Sequence, residues 1–292
     1  MDYTLGDRIR DLREHLNMSQ RELCRDICTQ GLISRIETNT ATPTAPILHQ
    51  IAVRLGVDLN YFFDDISRDG LNYVKEVMNT IDKHIRDQEY EEVMAIVELE
   101  KNNPLFNKNH LQQYLLWREG ICVYYLHNNA DQALELLDNA FNMGKSEKKF
   151  SEVEIDILAS KAIIYSLIKK LDDAAHIYSK ILRDVASLRV IQNKRLVIRV
   201  LYNASRNAYD RHEYGEALDY IDKALNTCIK EQQLYLLGHI LFQKGSTLFR
   251  YDPAEKETCI KLLEEALWVY ELDPVPVFIT ALKEEMTLIR QS

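Results

Sequence analysis

The stretch Met18-Ser19-Gln20-Arg21-Glu22-Leu23-Cys24-Arg25-Asp26-Ile27-Cys28-Thr29-Gln30-Gly31-Leu32-Ile33-Ser34-Arg35-Ile36-Glu37 reads as two short helices joined by a tight turn. Ser19 stands where its hydroxyl accepts from the backbone N–H three residues on. Glu22, at that third position, reaches back to the Ser19 N–H, so the two form a capping box that starts a helix. Leu23 and Ile27 supply its buried face. The turn covers Cys28 and Thr29, and the next helix runs from Gln30 to about Thr38 with Ile33 and Ile36 pointing inward. Two helices joined by so short a turn, inside a small bundle, make a helix-turn-helix.

The flanking residues complete that bundle. Leu5, Ile9, Leu12 and Leu16 recur at spacings of four, three and four, which predicts an amphipathic first helix. Thr42-Pro43-Thr44 opens a fourth helix with Ile47, Leu48, Ile51 and Leu55 on one stripe, and Gly56 ends it. Asp58 caps a fifth short helix carrying Leu59, Tyr61, Phe62 and Phe63. Residues 1–66 hold seven arginines and no lysine, whereas lysine first appears at Lys75. Ser67-Arg68-Asp69-Gly70 is a polar break carrying a glycine, and a domain boundary is expected there. The expected organisation is a helix-turn-helix domain over 1–66, a linker-helix region over 67–86, and a repeat domain over 87–292. The linker is periodic in Leu71, Val74, Val77, Met78, Ile81 and Ile85.

A short pattern recurs through the rest of the chain. Ala133, Leu137 and Ala140 return as Ala174, Tyr178 and Ile181, as Ala217, Ile221 and Ala224, and as Cys259, Leu263 and Ala266, after 41, 43 and 42 residues. A weaker leading copy holds Val93, Val97 and Glu100, making five expected repeats. Each triplet follows another apolar helix, and a recurrent helix pair whose small residues mark close approach is the signature of an α-solenoid.

Composition agrees with an all-α chain. The 292 residues are 46% hydrophobic with only nine glycines and six prolines, which excludes a disordered or turn-rich all-β protein. No run of about 20 apolar residues is available to span a bilayer, and the opening Met1-Asp2-Tyr3-Thr4-Leu5-Gly6-Asp7 lacks an apolar signal core. Five scattered cysteines are unlike a secreted disulfide framework. A cytoplasmic location and no membrane partner are expected. The 36 Lys+Arg against 45 Asp+Glu give a net charge of −9, which argues against unselective wrapping of nucleic acid but not against a small local DNA-reading surface.

Met18 to Leu23 followed by Ile33-Ser34-Arg35-Ile36-Glu37, with Ile51-Ala52-Val53-Arg54-Leu55-Gly56-Val57, resembles the phage-repressor (Xre-like) helix-turn-helix family. The repeat pattern resembles tetratricopeptide repeats, with a period longer than that family's ~34 residues. The combination resembles the RRNPP group of peptide-sensing quorum regulators of Gram-positive bacteria. The short turn Ile27-Cys28-Thr29-Gln30, the stretch Gln112-Gln113-Tyr114-Leu115-Leu116-Trp117, Tyr202-Asn203-Ala204 with Tyr214, and Leu241-Phe242-Gln243-Lys244-Gly245 carry that likeness. The resemblance implies a transcription regulator, not an enzyme, that binds double-stranded DNA and a short signalling peptide.

In a helix-turn-helix the third helix enters the major groove and the second helix's N-terminus meets a phosphate. Gln30, Gly31 and Ser34 are therefore candidates to face the groove, Arg35 to make a bidentate contact to guanine, and Gln20 and Arg21 to position the backbone. Thr38, Asn39 and Thr40 are candidates to clamp the next phosphate. Up to Val57 the seven arginines are balanced by seven carboxylates, so one domain is expected to bind weakly and a homodimer to read a pseudo-palindromic operator.

A groove lined by the first helix of each repeat suits an extended peptide, whose unpaired backbone groups match side-chain amides. Asn203 and Asn207, four apart, are expected to project together, with Gln243 similarly placed on the next first helix. Lys161, Arg199, Arg206 and Lys244 are candidates to receive a carboxylate, and Tyr125, Tyr165 and Tyr202 to wall apolar pockets. The family resemblance implies that asparagines here hold the peptide backbone, a role that falls on Asn203. The third repeat, Ser160-Lys161-Ala162-Ile163-Ile164, has no such asparagine.

No phosphate-cradling glycine loop, HExxH or CxxC occurs, so no cofactor or metal is expected. Glu89, Glu91, Glu92 and Glu98 to Glu100 read as solvated helix surface. Two other readings stay open: a tetratricopeptide-type protein that inhibits a partner protein and leaves no DNA footprint, and a regulator whose array only oligomerises.

Overall fold

The computed structural model describes residues 4–62, 68–144, 150–187, 193–272 and 276–291. All the regular elements among them are helices. The chain divides into two compact units, Met1–Arg86 and Asp87–Ser292.

The first unit holds α1 (Leu5–His15), α2 (Gln20–Cys24), α3 (Gln30–Glu37), α4 (Ala45–Leu55), a 3-10 turn (Leu59–Phe62) and α5 (Arg68–Asp87), which ends at the boundary. Local chemistry starts each element. The Ser19 hydroxyl accepts from Glu22 N at 3.2 Å while Glu22 Oε2 accepts from Ser19 N at 2.7 Å, completing the expected box. The Ser19 hydroxyl also donates to Glu22 Oε2 at 2.7 Å, and that bond, with the one from Ser19 N, holds the Glu22 carboxyl below its ordinary range. Thr4 and Asp7 form a second capping box on α1, and Thr29 caps α3. Gly56, at φ 70°, ends α4 in the left-handed conformation that glycine adopts without steric cost. The apolar stripes meet in one core built on Ile9, Leu23, Ile33, Ile36, Leu48, Ile51 and Phe62.

Three expectations change. α2 stops at Cys24, because Asp26 turns left-handed at φ 59°; Ile27 still packs on the core, from the turn. The fifth helix is a single 3-10 turn, and Phe63 lies outside the described residues, as does Ser67. Arg68-Asp69-Gly70 is not a loop but the first turn of the 20-residue α5. A helical glycine costs about 1 kcal/mol. A helix that buries Val74 and Ile81 absorbs that.

The second unit contains α6 (Tyr90–Glu100), α7 (Asn109–His127), α8 (Ala130–Gly144), α9 (Glu152–Leu167), α10 (Leu171–Ser187), α11 (Lys194–Asp210), α12 (Tyr214–Lys230), α13 (Leu237–Tyr251), α14 (Lys256–Leu272) and α15 (Pro276–Gln291). All five triplets lie on second helices, α6, α8, α10, α12 and α14, and every member is at most 2% exposed. Glu100 is thus buried rather than solvated, and its Oε2 accepts from Asn103 Nδ2 at 2.6 Å. Four hairpins, α7–α8 through α13–α14, fall wholly within this unit.

The small residues sit where paired helices come closest. A Cβ on Gly120 would lie 3.1 Å from Leu137 and 3.2 Å from the Ala133 carbonyl; on Gly245 it would lie 3.1 Å from Leu263 and 3.2 Å from the Cys259 carbonyl. In the α11–α12 hairpin Ser205 takes the same place, and its hydroxyl donates to the Ala217 carbonyl at 2.8 Å. The turns repeat as well: Asn128, Lys169 and His212 end α7, α9 and α11 with φ of 49°, 64° and 63°. A left-handed residue there lets the last carbonyls of the helix be satisfied, as when Lys170 N and Glu213 N donate to Tyr165 O and Ala208 O, each at 2.9 Å.

Candidate functional sites

The α2–α3 surface is organised from beneath by a charged pair. Arg13 Nε donates to Glu37 Oε1 at 2.6 Å and Arg13 Nη2 to Glu37 Oε2 at 2.9 Å, both side chains being nearly buried. Arg13 Nη1 adds a bond to Met18 O at 2.9 Å, and Gln20 Nε2 one to Glu37 Oε2 at 2.8 Å. α1, the start of α2 and the end of α3 are thereby tied through one carboxylate, which raises the Arg13 pKa further. Arg54 of α4 donates to the carbonyls of Glu22, Leu23 and Arg25, satisfying the C-terminus of α2.

Above this frame Arg21, Gln30, Gly31, Arg35, Thr38 and Asn39 are exposed, and Gln20 and Ser34 half-buried. Arg21 Nε reaches Gln30 Oε1 at 3.3 Å, bringing the two helix N-termini together. Nothing lies within 4 Å of a Cβ placed on Gly31, so that face is open. No described carboxylate is within ion-pair distance of Arg21 or Arg35, whereas Arg10 pairs with Asp7 and Arg13 with Glu37. The charge balance read from sequence is therefore uneven in space, and Arg21 on α2 and Arg35 on α3 are among the cations without a described carboxylate partner.

The residues after α3 have internal duties. Thr38 and Thr40 hydroxyls both donate to Arg35 O, at 3.2 and 3.1 Å, capping the helix. Asn39, left-handed at φ 56°, accepts from Gly6 N at 3.1 Å. A Cβ on Gly6 would lie 2.1 Å from the Ile36 carbonyl, so only glycine lets α1 begin there.

In the second unit a cavity of about 160 Å³ opens between α9, α10 and α11, lined by Ser166, Lys169, Tyr178, Asn203, Arg206, Asn207 and Asp210, with Ile163 and Leu167. The two asparagines differ. Asn207 is 2% exposed, and its Nδ2 donates to Ser166 Oγ at 3.1 Å and Leu171 O at 3.0 Å, so it forms the wall and fastens α11 to the preceding hairpin. Asn203 is half-buried, and its amide hydrogen-bonds no described residue.

The four candidate cations also separate. Lys161 pairs with Asp138, Arg199 with Asp156, and Lys244 with Asp222 at 2.7 Å. Arg206 is exposed, pairs with no described carboxylate, and stands 5.9 Å from the Tyr202 ring centre. Gln243 Nε2 donates along its own helix to Thr247 Oγ1 at 3.2 Å. Tyr165 lies 5.7 Å from Lys161 Nζ, and Tyr125 stacks on Tyr90 with ring centres 4.2 Å apart. Burial pushes the Tyr125, Tyr178 and Tyr202 phenols up, while the Arg206 charge pulls each of them down.

Tyr178 and His239 were not among the sequence candidates. Tyr178 occupies the core position of its triplet, a place where an aromatic signals packing, and nothing in the pattern says that it also floors a cavity. His239 sits 6.0 Å from Tyr202 and 4.5 Å from Phe278 between ring centres, and burial, then Arg206, lowers its pKa. No group of three or more His, Cys, Asp or Glu able to hold a metal ion occurs among the described residues. No helix among them is long and apolar enough to cross a membrane.

Residues 78–286 match the model of the RNPP family C-terminal domain, and residues 9–62 match a helix-turn-helix model. The chain is similar in structure to Bacillus thuringiensis PlcR in complex with the peptide PapR7 and DNA, at 24% identity and a TM-score of 0.73 over 98% of this chain and 99% of that one. It is similar to ComR from S. thermophilus in complex with DNA and its signalling peptide ComS, at 18% identity and a TM-score of 0.69 over 98% and 99% of the two chains. A transcriptional regulator from Listeria monocytogenes EGD-e, described as putative, shares 14% identity at a TM-score of 0.58 over 98% and 97%. At these identities the likeness to the solved structures is one of fold. The comparison with curated proteins gives no match.

Proposed function

The chain belongs to the RNPP family, and on that premise we propose that it is a peptide-responsive, DNA-binding transcription regulator that works in the cytoplasm as a homodimer. Asn203 carries the sensing half: an amide, donor and acceptor together, lining a polar cavity with no described partner. An extended peptide laid across the first helices α9, α11 and α13, on the concave face of the array, supplies the missing N–H and C=O. PlcR and ComR, which share the fold, have been seen with both a peptide and DNA.

DNA contact falls to the exposed surface of α2 and α3. Arg35 is the guanine reader, with Gln30, Gly31 and Ser34 beside it, while Arg21 and Gln20 meet a phosphate at the N-terminus of α2. Thr38 and Asn39 stand at the edge of this surface, where their backbone geometry holds the end of α3 toward the duplex. Two such domains read a pseudo-palindromic operator, because a single one offers too few free cations for tight binding. Peptide and operator prefer the same arrangement of the dimer, and α5, which ends at the boundary between the units, transmits the change.

Selection from a random pool of DNA duplexes tests the first half. The full chain is expected to enrich a two-fold symmetric sequence, and Arg35→Ala to lose about 1–3 kcal/mol of discrimination at one base pair per half-site. Failure to enrich any sequence contradicts the proposal.

A further inference from the structure

Of the four candidate cations Lys161, Arg199, Arg206 and Lys244, three are neutralised by the protein itself, and the exception lies at the cavity. Lys161, Arg199 and Lys244 each pair with an aspartate of a neighbouring helix. Arg206 pairs with no described carboxylate, although it lines the same cavity as Asn203. Lys169 adds a second positive charge to that lining and Asp210 the one negative charge among the lining residues, so the cavity carries a net charge of about +1 at neutral pH.

Its other walls mix polar, aromatic and aliphatic groups, the last being Ile163 and Leu167. Ser166, Asn203 and Asn207 offer hydrogen-bonding groups, and Tyr178 forms the floor. The space, about 160 Å³, matches a group of roughly benzene size. An exposed guanidinium with no ion pair of its own is open to an anion, and it is shaped to take a carboxylate through two parallel N–H···O bonds. Arg206 also acts on its surroundings: its charge is felt by Tyr125, Tyr178 and Tyr202, and burial together with that charge lowers the His239 pKa.

We infer that this cavity selects peptides by a carboxylate that docks on Arg206 while the adjoining backbone amide pairs with Asn203. The inference rests on the peptide-sensing reading and adds the chemical class of the ligand. The carboxylate comes either from the peptide's C-terminus or from an Asp or Glu side chain. In both cases the segment beside it lies against the Tyr202 ring.

The probe is an equimolar random heptapeptide library, made once with free C-termini and once with C-terminal amides. It is passed over the full chain and over Arg206→Gln and Arg206→Lys, and retained peptides are read by mass spectrometry. Wild-type protein is expected to enrich carboxylate-bearing peptides. Retention of the free-acid library alone assigns the terminus; enrichment of Asp or Glu at a fixed position in both libraries assigns a side chain. Arg206→Gln is expected to lower this enrichment about ten- to a hundredfold, the loss of a charge-assisted pair, and Arg206→Lys to restore part of it. The Gln variant should keep the wild-type unfolding midpoint, since Arg206 is exposed and holds no ion pair with a described residue. Peptides retained without preference for a carboxylate, or the same enrichment on Arg206→Gln, overturn the inference and leave peptide sensing standing. A wild-type chain that retains no peptide overturns both.

Discussion

The helix-turn-helix unit is held together by contacts that each occur once, and the repeat unit by one contact made several times. In the first, Glu37 binds Arg13 and Gln20, Asn39 binds Gly6, and Arg54 closes the end of α2. In the second, Gly120, Ser205 and Gly245 meet the facing helix in the same way, and Lys161–Asp138 recurs as Lys244–Asp222. The corresponding places in the α10–α11 pair hold Ser179 and Ala204, so the repeated ion pair is missing there. That is the pair whose residues help line the cavity, where Asn203 has no described hydrogen-bond partner and Arg206 no described carboxylate. In a unit of unique contacts a motif marks the residues proposed to work; in a periodic one, a departure from the period marks them.

The contrast can be broken first at Glu37. Glu37→Ala takes away the buried partner of Arg13 and leaves it only the exposed Glu14, and about 3–5 kcal/mol of stability should be lost. Both tryptophans, Trp117 and Trp268, lie in the second unit. Urea unfolding followed by tryptophan fluorescence should therefore stay at its wild-type midpoint while far-ultraviolet circular dichroism shows early loss of the first unit. A shift in both signals denies that the units are separately held.

Repetition is tested next by Gly120→Val and Gly245→Val. Each drives a side chain into the facing leucine and carbonyl, and each should lower the fluorescence-detected stability by about 1–3 kcal/mol. Similar losses support equivalence of the two hairpins, and a tolerated valine at either position refutes it. Ser205→Ala, which removes only the bond to Ala217 O, should cost about 0.5–1.5 kcal/mol in the same measurement.

The smallest effect is one of pH. His239 has a folded pKa below its ordinary 6.5, so between those two values the unfolded chain binds more protons than the folded one. Stability of the second unit from this source is constant above about pH 6.5 and falls as the pH drops through the folded pKa. The thermal midpoint should decrease between about pH 7 and pH 5, and His239→Phe should flatten that part of the decrease. An identical profile in the variant assigns the effect to other groups.

The sequence carried what is local or periodic. The capping box at Ser19 and Glu22, the apolar stripes of α1, α3 and α4, and the triplets on second helices all follow from spacings of three and four residues. Long-range polar contacts were not legible, because nothing local links Arg13 to Glu37; the available hint was that each extends an apolar stripe with a charged residue. The repeat turns were hidden because Asn128, Lys169 and His212 adopt the left-handed conformation in place of glycine. Candidate ligand residues were identified by type, and type cannot tell Asn203 from Asn207 or Arg206 from Arg199. Their hydrogen-bond partners make that distinction, and those partners lie about 40 residues away in the preceding hairpin, as Ser166 and Asp156 do.

Coupling between the two units is the most consequential statement about this chain, and fluorescence anisotropy of its selected operator duplex reads it directly, with and without saturating retained peptide. A coupling energy of ~1–3 kcal/mol predicts that peptide changes operator affinity by about 5- to 150-fold, and that Asn203→Ala abolishes the change while leaving the peptide-free affinity intact. An operator affinity that is the same with and without bound peptide contradicts it.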